Sequence, residues 1–509
     1  MYYPSDIVRW WKSNPSHKKN SAASYVAFGI GLVCAFLTIP VVVYYLDREE
    51  LGIWALIYQV MLYLSLINGG IGRSIGRMMA PSIEEKNDKE IAKWWTLGIS
   101  IQLIQGLILV AIGLALTSLF LDFYELEGRY RLEAASLFKA AVYTFGLRIV
   151  FAMYPGVLIA QDRFHWVPIN QAIIAILKLL ALAAFLYNGK GLMAYAYAEI
   201  LVVFFSAIYY ISIVRKGGTR LAFNFSCFEK SRVVKLFTFS SSQAFLNIGS
   251  TFVRALPVMA IGKILGVDQV AIFTFTNRLP AMFTSLSLRN YHSRYPQLQK
   301  LYIRGEAPQV KAIFIDTMKA SILIAGVGSV LILCCNRSVI YLISDSGFYG
   351  GVWVTYFLVI NVLIRVINDS SVGIFNILGN MKSMIYVVLI EVVLTLGLML
   401  LLANSIGMIG AVIAPILGNL CTRVLYGYTV GIKLLGFTCS EIVYPLLKYL
   451  LICSGCVTFI AIVLGFVNVD GSTWFPNVVE ILLFVCAVIF ASLKWKRSRF
   501  IQADDKIRV

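Results

Sequence analysis

The sequence predicts an all-α polytopic membrane protein with about 14 transmembrane helices. Three observations carry that prediction. Of 509 residues, 59% are hydrophobic and only 14% charged, and the mean hydropathy is +0.80. Long uncharged runs recur from Asn20 to Trp495, each near the ~20 residues that a spanning helix needs. These runs do not alternate polar with apolar residues, as the shorter strands of a membrane β-barrel would.

Taken in order, the chain opens on a polar, basic, Trp-bearing segment, residues 1–19, in which Ile7, Val8, Trp10 and Trp11 suit the headgroup region. It is not a cleavable signal peptide, because charge and polarity precede the first apolar run for too long. An N-lobe follows at 20–214, with spans at roughly 20–46, 53–79, 94–121, 136–160, 167–187 and 191–214. A basic linker, 215–235, leads to a C-lobe at 236–430. Its spans are at roughly 236–262, 270–290, 313–335, 352–378, 383–402 and 407–430. Residues 431–495 hold two further spans, at roughly 446–467 and 476–494, and 496–509 form a basic tail. The connections are short, about twenty residues at most, and leave no room for a soluble domain.

Lys and Arg set the orientation. They crowd the N-terminal segment (Arg9, Lys12, Lys18, Lys19), the linker (Arg215, Lys216, Arg220, Lys230, Arg232, Lys235) and the tail (Lys494, Lys496, Arg497, Arg499). The opposite side carries only Arg48, Arg129, Arg131, Lys190, Lys263 and Arg337. Both termini are therefore expected in the cytoplasm, which agrees with an even number of spans. This bias accounts for most of the +18 formal charge, so the basic balance needs no nucleic-acid partner. The nine cysteines lie mostly within apolar runs and read as small buried hydrophobes.

The chain also contains itself twice. The offset that carries Pro40 onto Pro257 carries Gly156 onto Gly373 and Arg148 onto Arg365. Near the same offset, "GLMAYAYA" pairs with "GMIGAVIA". Two six-helix lobes related by a pseudo-twofold axis along the membrane normal are expected, with two extra C-terminal helices. Such an arrangement places a transport path at the interface between lobes.

Charged residues within the spans locate that path. Arg148 lies about twelve residues, or ~18 Å of helix, from either end of its span. A central charge costs at least ~2.5–3.5 kcal/mol against lipid, and the usual remedy is a bundle interior or water-filled cavity. The intramembrane cations are Lys139, Arg148, Lys178, Arg254, Arg278, Lys319, Arg365 and Arg423; the acids are Glu199, Asp316, Asp369 and Glu391. The excess of cations predicts a cavity that receives anions. Helical phase supports it: Asn361, Arg365, Asn368, Asp369 and Asn376 form one polar stripe, and Gln243, Asn247, Ser250, Thr251 and Arg254 another. Asn419, Thr422, Arg423 and Tyr426 follow a similar spacing, and Arg278 sits beside Asn277. The candidate substrate-binding residues are Arg148, Arg365, Arg254, Arg278, Lys178, Arg423, Asn361 and Asn368. Asp369, Glu199 and Glu391 are candidates for ion coupling. Arg365 and Asp369 are also spaced to neutralise each other, and Glu391 to be a buried partner of an arginine.

Other chemistries lack their residues. His17, His165 and His292 have no metal-binding spacing, and no "GxxxxGK[ST]" loop occurs. The glycines of "NGGIGRSIGRMM" (Asn68 to Met79) read as helix-packing positions rather than a phosphate loop. A membrane-embedded polymerase or ligase would bring a large outer loop with catalytic Arg or His, and none is present. No cofactor and no catalytic residue are expected.

Two stretches carry a family resemblance. "KNSAASYVAFGIGLVCAFLTIPVVVYYLDREELGIWAL" resembles the first two spans of the polysaccharide-transport branch of the multidrug/oligosaccharidyl-lipid/polysaccharide exporter superfamily. "FNILGNMK" (Phe375 to Lys382) is similar to the end of its tenth span. The nearest group is the Wzx-type O-antigen flippases. That resemblance implies a bacterial inner-membrane protein moving undecaprenyl-pyrophosphate-linked oligosaccharide outward by alternating access, coupled to an ion gradient. The partners implied are that lipid-linked oligosaccharide, membrane lipids, a polysaccharide polymerase and a chain-length regulator. Lipid II flippases carry arginines in their first span, where this chain has none between Asn20 and Tyr45. Drug/ion antiporters of the superfamily usually have twelve spans and a less basic cavity. Both are the alternatives.

Overall fold

A computed structural model of the chain describes residues 16–217, 221–223, 230–344, 346–378, 382–436 and scattered positions from 438 to 455. Every regular element among them is a helix, as a chain must be that satisfies its backbone hydrogen bonds within lipid. Nine stretches of the described residues are long and apolar enough to cross a membrane. The protein is an all-α polytopic membrane protein. The interfacial segment with Ile7, Val8, Trp10 and Trp11, the expected fourteenth span and the basic tail lie outside the described residues.

The first helix, α1 (Ser16–Tyr45), contains Pro40. A capping box starts α2 (Arg48–Leu64): the Glu50 amide donates to the Asp47 carboxylate at 2.8 Å, and the Asp47 amide to Glu50 at 3.0 Å. The expected second span is not one rod. It passes from α2 through a 3₁₀ turn, Ser65–Asn68, into α3 (Ile71–Glu84). Gly69 (φ 54°) and Gly70 (φ 74°) make that break, taking a left-handed backbone open to glycine without steric cost. Beyond it, Gly76 lets α3 close on a later helix, since a Cβ there would lie 2.2 Å from the Gly156 carbonyl oxygen. Asn87 caps α4 (Asp88–Phe123).

The fourth span is also divided, into α5 (Gly128–Phe151) and α6 (Tyr154–Ala160), with Pro155 in the first turn of α6. Proline removes the hydrogen bond to the carbonyl four residues back and clashes with it. That carbonyl belongs to Phe151, where α5 stops. The hairpin of α7 (Trp166–Tyr187) and α8 (Ala194–Arg215) follows.

Next come α9 (Lys230–Ile264), which contains Pro257, and α10 (Val267–Thr276). The expected eighth span breaks at Asn277, before α11 (Arg278–Ile303). Ser, Arg, Asn, Gln and Lys recur along α11, which is not among the nine apolar stretches. Then come α12 (Ala307–Ile343) and α13 (Val352–Leu378). The last apolar stretch, Ser383–Leu434, has 52 residues and as one rod would be about 78 Å long. It is two crossings. In α14 (Lys382–Asn419), Ile406 and Gly407 (φ 61°, ψ −137°) leave helical geometry and turn the chain back. Two π-helical segments, Leu420–Val424 and Gly427–Gly431, continue the second crossing.

The chain packs as two compact units: Met1–Thr274 with Ser371–Gly431, and Phe275–Ser370 with Ile432–Val509. In the first, Ile75, Met79, Trp94, Trp95, Met153, Val157 and Val214 form a buried cluster joining α3, α4, α6 and α8. In the second, Asn336 of α12 donates to the Thr276 carbonyl at 3.1 Å and to the Thr355 hydroxyl at 3.4 Å. The Gly350 amide donates to the Thr276 hydroxyl at 2.8 Å. Within the second unit, Gly328 lets α12 meet α11, where a Cβ would fall 2.4 Å from the Phe283 ring.

Candidate substrate-binding site

Arg148 lies in the last turn of α5, not in the middle of a continuous helix. The break enforced by Pro155 leaves the negative end of the α5 dipole beside the guanidinium, worth ~0.3–1 kcal/mol for a cation. Its helical phase is that of Leu137, Ala141 and Phe145, all buried. Lys139 and Tyr143, exposed on the other side of α5, are more than a quarter turn away. Arg148 is nevertheless exposed, so its face opens onto accessible space. Among the described residues its guanidinium has no hydrogen-bond partner; it rests 5.5 Å from the Phe145 ring centroid.

An aromatic wall runs from Arg148 to Lys178. Phe145 meets Tyr58 edge-on at 6.2 Å, and Tyr58 meets Trp54, one turn away on α2, at 5.9 Å. Trp54 stacks on Tyr195 of α8 at 4.2 Å, and the Lys178 ammonium sits 5.8 Å from the Trp54 centroid. Lys178 of α7 forms an ion pair with Glu199 of α8. The Glu199 carboxylate also feels the Arg148 charge. Four helices, α2, α5, α7 and α8, thus bring two cations, one carboxylate and an aromatic surface together within the first unit. Two cations against one carboxylate leave a net positive charge, which suits an anion.

Arg423 and Glu391 form a second intramembrane ion pair, between the first π-helical segment and α14. The Arg423 guanidinium also donates to the Ser250 hydroxyl of α9 at 2.8 Å. This pair is sealed: the side chains are 5% and 1% exposed, against 34% and 6% for Lys178 and Glu199. The extra residue of a π-turn re-aims a side chain, and here it brings Arg423 onto Glu391. Gly427 allows the close approach of this stretch to α13, where a Cβ would lie 2.3 Å from the Ser371 side chain. Arg254 folds back on its own helix, donating to the Ser250 carbonyl and the Thr251 hydroxyl, both at 3.2 Å. Asn419 and Thr422 likewise bond back, to the Pro415 and Gly418 carbonyls at 2.7 Å. The side chains of Gln243, Asn247 and Asn376 lie outside the described residues.

In the second unit, Asn361 and Arg365 of α13 are half-buried, and Asn368 is buried. Asp369 pairs with His292 of α11 at 3.3 Å. Arg278 is exposed at the start of α11. Among the described residues, no three His, Cys, Asp or Glu side chains are grouped to hold a metal ion.

Sequence reasoning missed the aromatic wall and the His292 contact. The i, i+4 spacing of Trp54 and Tyr58 was a visible signal, but Tyr195 and Phe145 come from distant helices. Nothing in the sequence announces that His292 meets Asp369.

A family model described as "Polysaccharide biosynthesis protein" matches residues 18–300. No curated protein matches the chain. Among solved structures, the chain is similar to a multidrug resistance MATE family transporter of the MOP superfamily in an inward-facing conformation. The TM-score is 0.68 at 16% identity, covering 81% of this chain and 98% of that one. An outward-facing conformation of a transporter of the same description gives 0.61 at 16% identity, over 83% and 95%. A MOP superfamily transporter from Pyrococcus furiosus, described as having a binding pocket of reverse polarity, gives 0.63 at 16% identity, over 83% and 96%.

Proposed function

The chain belongs to the polysaccharide biosynthesis protein family and has the fold of MOP superfamily transporters; we propose that it carries lipid-linked oligosaccharide across a bacterial inner membrane. The substrate class is an undecaprenyl-pyrophosphate-linked repeat unit of O-antigen or a related polysaccharide. The observation that carries this reading is Arg148: an exposed guanidinium on an otherwise buried helix face, with no hydrogen-bond partner among the described residues. Fixed charge and a forked donor set suit phosphate oxygens.

The path would run between two six-helix lobes, 20–214 and 236–430, with Arg148 and Arg365 at equivalent depth. The lobes would rock to expose the headgroup first inward and then outward, while the polyprenyl tail stays in lipid. Both termini would be cytoplasmic. Asp369, beside His292, and Glu199, buried beside the part-exposed Lys178, are the candidate acids for ion coupling. The sealed Glu391–Arg423 pair suits a structural role. A polysaccharide polymerase and a chain-length regulator would be partners. Binding pockets on this fold differ in polarity, as described for the Pyrococcus furiosus transporter, so a cationic version is compatible with it.

The test is flux of a defined polyprenyl-diphosphate-linked glycan into proteoliposomes. Losing one guanidinium forfeits charge-assisted bonds worth roughly 1.5–3 kcal/mol, about ten- to a hundredfold in rate. Arg148→Ala and Arg365→Ala should each show that loss with normal protein levels, and Arg148→Lys should recover only part. Normal flux in the double alanine variant would sink the reading.

A further inference from the structure

Among the described residues of the first unit, two intramembrane ion pairs look alike in sequence, a Lys or Arg on one helix and a Glu on its neighbour. They differ in access. Glu391 and Arg423 are enclosed, and Arg423 has Ser250 as a further partner. Lys178 is one-third exposed, and its carboxylate partner lies within electrostatic reach of a second exposed cation, Arg148. A carboxylate facing two reachable cations occupies the position that a doubly charged anion would take.

From this geometry we propose that Glu199 is an internal counter-anion. It offsets part of the positive charge of the empty site and gives up Lys178 to the diphosphate of an incoming ligand, which Arg148 also attracts. The inference rests on the reading of Arg148 as a headgroup contact and adds what holds the site before the headgroup arrives. A diphosphate offers more oxygens and more charge than one carboxylate, so it can engage both cations at once. Trp54 makes the exchange feasible. Its ring, backed by Tyr195 at 4.2 Å, lies 5.8 Å from the Lys178 ammonium and keeps a favourable surface beside the cation as its partner changes. Phe145 does the same for Arg148 at 5.5 Å. After the ligand leaves, the carboxylate returns, so the site does not hold its cargo indefinitely.

The experiment measures binding of inorganic pyrophosphate and of farnesyl diphosphate to the full chain in nanodiscs. The variants are Glu199→Gln, Lys178→Met and the double variant. Removing the competitor should tighten diphosphate binding about tenfold, and Lys178→Met should weaken it. In the double variant the gain from Glu199→Gln should fall below about twofold, because the cation contested by the carboxylate is gone. A gain that persists undiminished in the Lys178→Met background would mean that Glu199 acts only at a distance, and would overturn the proposal. So would unchanged or weaker binding in Glu199→Gln. Tightening confined to farnesyl diphosphate assigns the site to a lipid headgroup, and equal tightening for pyrophosphate assigns it to diphosphate as such; either supports the exchange. Wild-type protein binding neither probe would overturn the headgroup reading itself, whereas wild-type binding with an unresponsive Glu199→Gln overturns only the exchange. Should Glu199→Gln lose its thermal transition, Glu199→Asp, which draws the carboxylate back by one methylene, must show the same direction of change for the proposal to stand.

Discussion

At the scale of single residues, the same two amino-acid types play different parts according to access. Glu391 and Arg423 are almost wholly enclosed. Removing one partner of a buried pair strands the other charge and typically costs ~3–5 kcal/mol, whereas replacing both with well-packed apolar residues is often neutral. Arg423→Met should therefore lower the thermal unfolding midpoint of the detergent-purified protein strongly, and adding Glu391→Met should recover most of the loss. Lys178→Met should do less damage to stability, because the lysine is one-third exposed rather than enclosed. If Arg423→Met abolished flux at an unchanged unfolding midpoint, the pair would belong to the transport path instead. Arg148 differs from both: a helix end and an aromatic ring, not a carboxylate, hold it in place.

At the scale of elements, breaks in the helices position these side chains. Pro155 ends α5 just after Arg148, and Gly69 with Gly70 separate the half of the second span that carries Trp54 from the half that packs on α6. That packing depends on the absence of a side chain at Gly76, which faces the Gly156 backbone. A methyl group there cannot be accommodated by rotating a side chain, so Gly76→Ala should cost ~1–3 kcal/mol, the range for overpacking. Gly397 is the control. A Cβ at that position meets nothing within 4 Å, and Gly→Ala in a helix interior gains roughly 0.5–1 kcal/mol. Thermal unfolding of both variants in one detergent separates the cases, and an equal response would refute the role given to Gly76.

At the scale of the whole molecule, the distribution of Lys and Arg predicts sidedness. Reporter fusions at Gly217 and Gly305 should read cytoplasmic, and fusions at Glu50 and Glu127 should read external. Gly217 closes α8 before the basic linker, while Glu127 precedes α5 in an acidic to mixed loop. An external signal at Gly217 would overturn both the orientation and the six-plus-six division of the lobes.

The sequence by itself determined the class of the fold and, to within a few, the number of crossings. Those properties are local: a helix closes its own hydrogen bonds, and an apolar run of spanning length has one stable place in a membrane. The break after Arg148, which the reading of 136–160 as one span passed over, still has a local cause in Pro155, since proline acts on its own turn whatever surrounds it. Only the tertiary structure decided which charges meet. Lys178 and Glu199 are 21 residues apart on neighbouring helices, and whether they touch depends on how each helix is rotated by its packing. Arg423 reaches Glu391 and Ser250 because a π-turn re-aims it, and a π-turn has no signature in composition or period. The wall of Trp54, Tyr58, Phe145 and Tyr195 draws on three helices. Such contacts arise from the close approach of surfaces far apart in the chain, which no reading of periodicity can supply.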